Sequence, residues 1–143
     1  VWGFTPRASQ WDDWPKRTAK EGLVEIECGV RFDAVRMPEA LGLRIFQVWQ
    51  WEMHCGPLLQ ASPWVYGLTR PRTHADIWRR LSSDSAVLST GSWLICPRPD
   101  RQHPAAGRWL KTPDAPLWEP TRLADLLAVF AELQPDVSAS AIA

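Results

Sequence analysis

Apolar and charged residues alternate over Leu23-Val24-Glu25-Ile26-Glu27-Cys28, the two-residue period of a half-buried strand. Gly29 marks a turn, and residues 31–37 (RFDAVRM) alternate again as a second strand. The period then changes. Pro38 suits a helix's first turn and Glu39 suits its positive end. Leu41, Ile45, Val48 and Trp49 fall at spacings of three and four, which predicts a helix over 39–52 with one apolar stripe. Gly42 within it predicts close packing of that helix on a strand, and Gly56-Pro57 ends the segment. Residues 63–69 read as a third strand and Arg70-Pro71-Arg72 as a turn. Thr73 caps a helix that runs to Leu81, with Asp76 near its start and Arg79-Arg80 near its end. A short strand over 86–88 and a firmer one over 91–97 follow, then an exposed loop over 98–107 and a strand over 108–111. Thr121 caps a last helix with Leu123, Leu126, Leu127, Phe130 and Leu133 on one stripe, and Pro135 stops it.

The order is β-β-α-β-α-β-β-α. Neighbouring strands without helices between them predict an α/β (α+β) fold, a single domain with a mixed β-sheet covered by about three helices. Ahead of it, residues 1–21 form a Trp- and Pro-rich arm. In that arm Ser9 with Asp12 and Asp13 opens one short helix that Pro15 limits, and Trp2, Phe4, Trp11 and Trp14 dock it. The domain proper spans 22–134, and 135–143 is a frayed tail. Val1 in place of an initiator Met fits a processed chain or a piece of a longer one.

Composition narrows the class. With 143 residues, 45% of them apolar and 22% charged, the chain has enough apolar surface for one core, which excludes a disordered polyelectrolyte. No stretch reaches the roughly 18 apolar residues of a membrane span, so no membrane partner is expected. Ten tryptophans are an unusual load, and they enlarge the core of a small domain or supply stacking surfaces. Cys28, Cys55 and Cys96 are odd in number and widely spaced, which suits reduced thiols in a cytoplasmic protein. Neither they nor His54, His74 and His103 match a zinc spacing, and no metal site or cofactor is expected.

Charge is balanced in total, 16 basic against 16 acidic residues, but not in place. Residues 1–69 carry a net −1 and residues 112–143 a net −4, whereas 70–111 carry eight basic and three acidic residues, a net +5. Such asymmetry marks a face for polyanions. Arg70, Arg72, Arg98, Arg101 and Arg108 are its candidate nucleic-acid-binding residues, because the planar guanidinium suits phosphate. Trp64, Tyr66, Trp93 and Trp109 lie on strands near them, an interleaving that suits single-stranded bases.

Phe32-Asp33-Ala34-Val35-Arg36-Met37-Pro38-Glu39-Ala40-Leu41-Gly42-Leu43-Arg44 forms an FDAVxxPxxLGxR run. Gly56-Pro57-Leu58-Leu59, Val65-Tyr66-Gly67-Leu68, residues 91–99 (GSWLICPRP) and residues 108–114 (RWLKTPD) follow it in order. Across roughly 22–133 this resembles the short actinobacterial proteins named after the N-terminal domain of bifunctional DNA primase/polymerases. The resemblance implies a primase/polymerase-like fold and a replication, mobile-element or defence setting. Polymerising members of that superfamily hold two divalent ions with an acid-x-acid pair on a strand plus a third carboxylate, since alternate residues share a strand face. Here Asp33 is followed two residues on by Val35, and Gly91-Ser92-Trp93 carries no histidine. Glu25-Ile26-Glu27 is an acid-x-acid pair outside the resembling run.

The leading expectation is therefore a non-catalytic domain that binds nucleic acid or a protein partner. Two alternatives stand beside it. One is a protein-interaction subunit docking through residues 1–21, for which deletion of 1–20 breaks a complex and leaves folding intact. The other is a metal-dependent nucleotidyltransferase using Glu25, Glu27 and Asp33 with Mg or Mn. No Walker loop, GxGxxG or GxSxG is present.

Overall fold

The computed structural model describes residues 10–19, 22–49, 55–71, 84–104 and 106–133. The helix expected from Thr73 to Leu81, Arg72, His54, His74 and the tail lie outside them.

A short helix α1 (Gln10–Asp13) leads into β1 (Lys16–Thr18), β2 (Leu23–Glu27) and β3 (Asp33–Pro38). Helix α2 (Glu39–Trp49), β4 (Leu58–Ala61) and β5 (Trp64–Thr69) follow. Then come β6 (Ala86–Leu88), β7 (Trp93–Pro97), β8 (Gln102–His103), β9 (Gly107–Lys111) and α3 (Pro120–Leu133). The class is α+β, with three described helices.

The strands form two sheets rather than one, ordered β1-β2-β7 and β6-β3-β5-β4-β9-β8, and every strand pair is antiparallel. Among the described residues the one parallel pairing is an isolated bridge, Thr69 with Trp118. Strands β3 and β4 both run opposite to β5, so they run the same way with β5 between them. The β3–α2–β4 crossover is thus a split βαβ unit, and the tight β4–β5 hairpin is what fills its gap.

Strand alternation sends side chains to two cores, giving three layers. On one face of the large sheet, Val35, Met37, Leu58 and Val65 meet Leu41 and Ile45 of α2 and Leu123 and Leu127 of α3. On the other, Ala34, Leu59, Leu68 and Trp109 meet Ile26, Leu94 and Cys96 of the small sheet. Gly42 lies where the pattern requires it: a Cβ there would fall 2.3 Å from Val65 Cβ, so the absent side chain sets how closely α2 lies on β5.

The N-terminal arm departs from the expectation of an appended element. Its helix and tryptophans are present, but Lys16, Arg17 and Thr18 also pair with Ile26, Glu25 and Val24 as a strand. Trp14 is 5% exposed, with its ring centroid 4.7 Å from that of Phe32. Deleting residues 1–20 would remove a strand and a core residue, so folding would not be spared. The expected loop over 98–107 closes into the β8–β9 hairpin, and β4 was not foreseen because Leu58-Leu59-Gln60-Ala61 is too short to show a period.

Candidate functional site

Of the strand aromatics, only Trp109 is buried, donating its indole N–H to the Pro97 carbonyl at 2.9 Å. Trp64, Tyr66 and Trp93 are half-buried, and two of them carry a guanidinium. Arg36 lies 4.2 Å from the Trp64 ring centroid, and Arg17 lies 3.9 Å from that of Trp93. These are cation–π distances. Burial pushes the Tyr66 hydroxyl pKa up, and Arg36 beside it partly offsets that rise.

The Arg17–Trp93 stack lies beside a cleft of about 360 Å³ lined by Trp11, Lys16, Arg17, Thr18, Val24 and Arg98. Its described lining holds three cations, one indole and no acid. Local structure explains the convergence. Successive strand residues point to opposite faces, so Lys16 and Arg17 of the edge strand β1 flank the cleft from the two sides of that border. Lys16 Nζ donates to the carbonyls of Trp11 and Trp14 and sits 5.3 Å from the Trp11 ring centroid. Arg17 Nε donates to Glu25 across the β1–β2 pair. Arg98 follows directly on β7, whose last residue, Pro97, pairs with Leu23. Trp11 meets Trp14 and Trp109 edge-on at 6.1 and 6.3 Å, which fixes the cleft's indole wall.

The arginines expected to share one face are divided. Arg98 lines this cleft, and exposed Arg101 follows it in a turn closed by the Arg101 N–H donating to the Arg98 carbonyl. Arg108 lies on β9 and donates from Nε to Gln60 Oε1 at 3.1 Å. Arg70 follows β5 and pairs with Glu119 at 2.9 Å. Gln60 pairs with Val65 of β5, which puts Arg108 and Arg70 at opposite ends of the sheet, roughly 16 Å apart by strand rise.

The three candidate carboxylates are held in different ways. Glu25 receives Arg17, while Asp33 is 3% exposed and accepts from Ser89 Oγ at 2.9 Å. Glu27 is half-buried at the end of β2. Among the described residues no three His, Cys, Asp or Glu side chains gather as a cation would need. The three cysteines are free and buried. Burial pushes Cys28 and Cys96 up to about 12 and Cys55 up to about 11.

Lys16 and Arg17 are not legible as site residues because residues 1–69 are net negative and Lys-Arg-Thr shows no apolar period, and Trp11 reads there only as a residue that docks the arm. The signal was there in outline: a Trp-flanked Lys-Arg pair beside a predicted strand.

The fold and cleft thus define a three-layer α+β domain with a cationic, indole-walled cleft at the border of its small sheet. Protein-family models, curated proteins and solved structures were all compared with the chain, and none matches it.

Proposed function

We propose that this is a non-catalytic binding domain that grips single-stranded nucleic acid along the Trp11–Lys16–Arg17–Arg98 cleft. One observation carries the reading: three cations and an indole line one cleft whose described lining has no acid. The cations meet phosphates, and a base can stack at the half-buried Trp11 by displacing the Lys16 ammonium that sits 5.3 Å from its ring centroid. Arg17 is 58% exposed and Glu25 23%, so solvent screens the pair on its Arg17 side and the guanidinium can exchange partners. Binding rather than nucleotidyl transfer is supported by Asp33, which is committed to Ser89 inside the protein. The replication, mobile-element or defence setting implied by the primase/polymerase resemblance belongs to the same proposal.

The test is fluorescence anisotropy of a labelled oligothymidylate across a salt series. Three released counterions give a log–log slope of about −2, or roughly sixteenfold weaker binding between about 50 and 200 mM salt. Arg17→Ala flattens the slope by about 0.7. No binding at the lowest salt refutes the reading.

A protein partner is the second reading, and the observation favouring it is Ile95, 48% exposed on β7 two residues from Trp93. In that case Ile95→Asp abolishes a co-purifying complex and leaves oligonucleotide binding unchanged.

A further inference from the structure

We propose that a second site, independent of the cationic cleft, lies between the β4–β5 turn and the β8–β9 hairpin and binds a small polar molecule through a carboxylate or phosphate group. The groove there has a volume of about 600 Å³, within the range of small-molecule sites. Five polar side chains, Gln60, Ser62, Gln102, His103 and Arg108, line it beside Ala61, Pro104 and Gly107, so its walls mix polar and apolar surface and carry a single guanidinium.

What distinguishes Arg108 from an ordinary surface arginine is that its base is tethered. Gln60 accepts from Arg108 Nε with its side-chain oxygen and donates from its side-chain nitrogen to Glu39 at 3.0 Å. Glu39 in turn accepts from Ser62 Oγ. These two hydrogen bonds hold the Glu39 carboxyl below the usual carboxylate range, so it stays ionised as the anchor of the chain. Arg108, Gln60, Glu39 and Ser62 therefore form one continuous relay from β9 through β4 to the start of α2. A guanidinium held at Nε still has two terminal nitrogens, the pair that grips a carboxylate or phosphate in a planar fork. Holding the fork in advance reduces the ordering cost of binding.

Gly107 makes the arrangement possible. Its φ is +83°, and a Cβ there would fall 1.7 Å from the Gln60 carbonyl oxygen. No other residue lets β9 start this close to β4, and that closeness brings Arg108 within reach of Gln60.

The test is a titration of the full chain followed by NMR chemical shifts. One arm uses glucose 6-phosphate, a second uses citrate, and a third uses sodium chloride at matched ionic strength. Saturable shifts at Gln60, Gln102 and Arg108 in the first or second arm support the site and decide between phosphate and carboxylate. Arg108→Gln weakens that binding by about tenfold to a hundredfold, the worth of a charge-assisted hydrogen-bond pair. Arg108→Lys, which keeps the charge and loses the fork, also weakens it. Arg70→Gln, at the far end of the sheet, leaves it unchanged. The proposal is overturned if neither anion saturates, if sodium chloride reproduces the shifts, or if Arg70→Gln weakens binding as much as Arg108→Gln. Because oligonucleotide binding belongs to a different cleft, it is expected to persist in Arg108→Gln.

Discussion

Replacing Trp14 with Ala asks whether the N-terminal arm is part of the folded core. Trp14 is 5% exposed, lies 4.7 Å from Phe32 between ring centroids, and meets Trp11 edge-on. A buried indole removes about 150–250 Å² from water, which at about 25 cal/mol per Å² is about 4–6 kcal/mol before the compactness of the unfolded chain is counted. Truncations of this kind in well-packed cores cost about 3–5 kcal/mol. We therefore expect Trp14→Ala to cost about 3–5 kcal/mol. At about 3–5 °C per kcal/mol for a chain of this size, the midpoint of thermal unfolding falls by about 9–25 °C. Urea unfolding followed by far-UV circular dichroism measures the change without depending on the fluorescence of the indole removed. The denaturant slope should stay constant, since the same surface unfolds. A loss under about 1 kcal/mol would show that the arm is an appendage and would refute the placement of Trp14 in the core.

Four further outcomes are expected. Gly107→Ala puts a side chain at φ +83° and against the Gln60 carbonyl, so it should cost more than the roughly 1–2 kcal/mol of a left-handed residue alone, measured by urea unfolding. Cys28, Cys55 and Cys96 should resist iodoacetamide at pH 8 in the native protein and react on unfolding, as mass spectrometry would show. Their raised pKa values mean that the folded state favours the neutral thiol. That stability is complete below the ordinary thiol value of 9.0 and is lost as pH climbs toward about 12 for Cys28 and Cys96, so a midpoint that rises over this window would contradict it. Arg70→Ala should change stability by no more than about 1 kcal/mol, because both partners of its ion pair are more than half exposed and solvent screens them.

The fold was legible wherever a period ran long enough. The alternation at Leu23–Glu27, the Leu41 and Ile45 part of the α2 stripe, the Gly42 contact and the Leu123, Leu127 and Phe130 part of the α3 stripe are all local properties of the chain, whereas Val48, expected on the α2 stripe, is 52% exposed. The division into two antiparallel sheets was not, because it depends on β5 inserting between β3 and β4 and on β7 joining β2 instead of the larger sheet. Pairing partners so far apart in sequence leave no periodic trace. The same limit applies to the site. Arg98 was visible as part of a basic stretch, but its companions Lys16 and Arg17 lie some eighty residues away and come together with it only through the β1–β2–β7 sheet. Conversely, Arg70 and Arg108 looked alike as sequence, and strand direction separates them.

Charge reversal at two matched arginines tests the central claim most directly. Arg98→Glu and Arg70→Glu change net charge equally, so any general attraction between protein and oligonucleotide is weakened alike in both. Anisotropy with an oligothymidylate at about 50 mM salt should show binding lost or weakened at least tenfold in Arg98→Glu and nearly unchanged in Arg70→Glu. Equal weakening in the two variants, or a larger loss in Arg70→Glu, would contradict the assignment of the Trp11–Lys16–Arg17–Arg98 cleft as the binding surface.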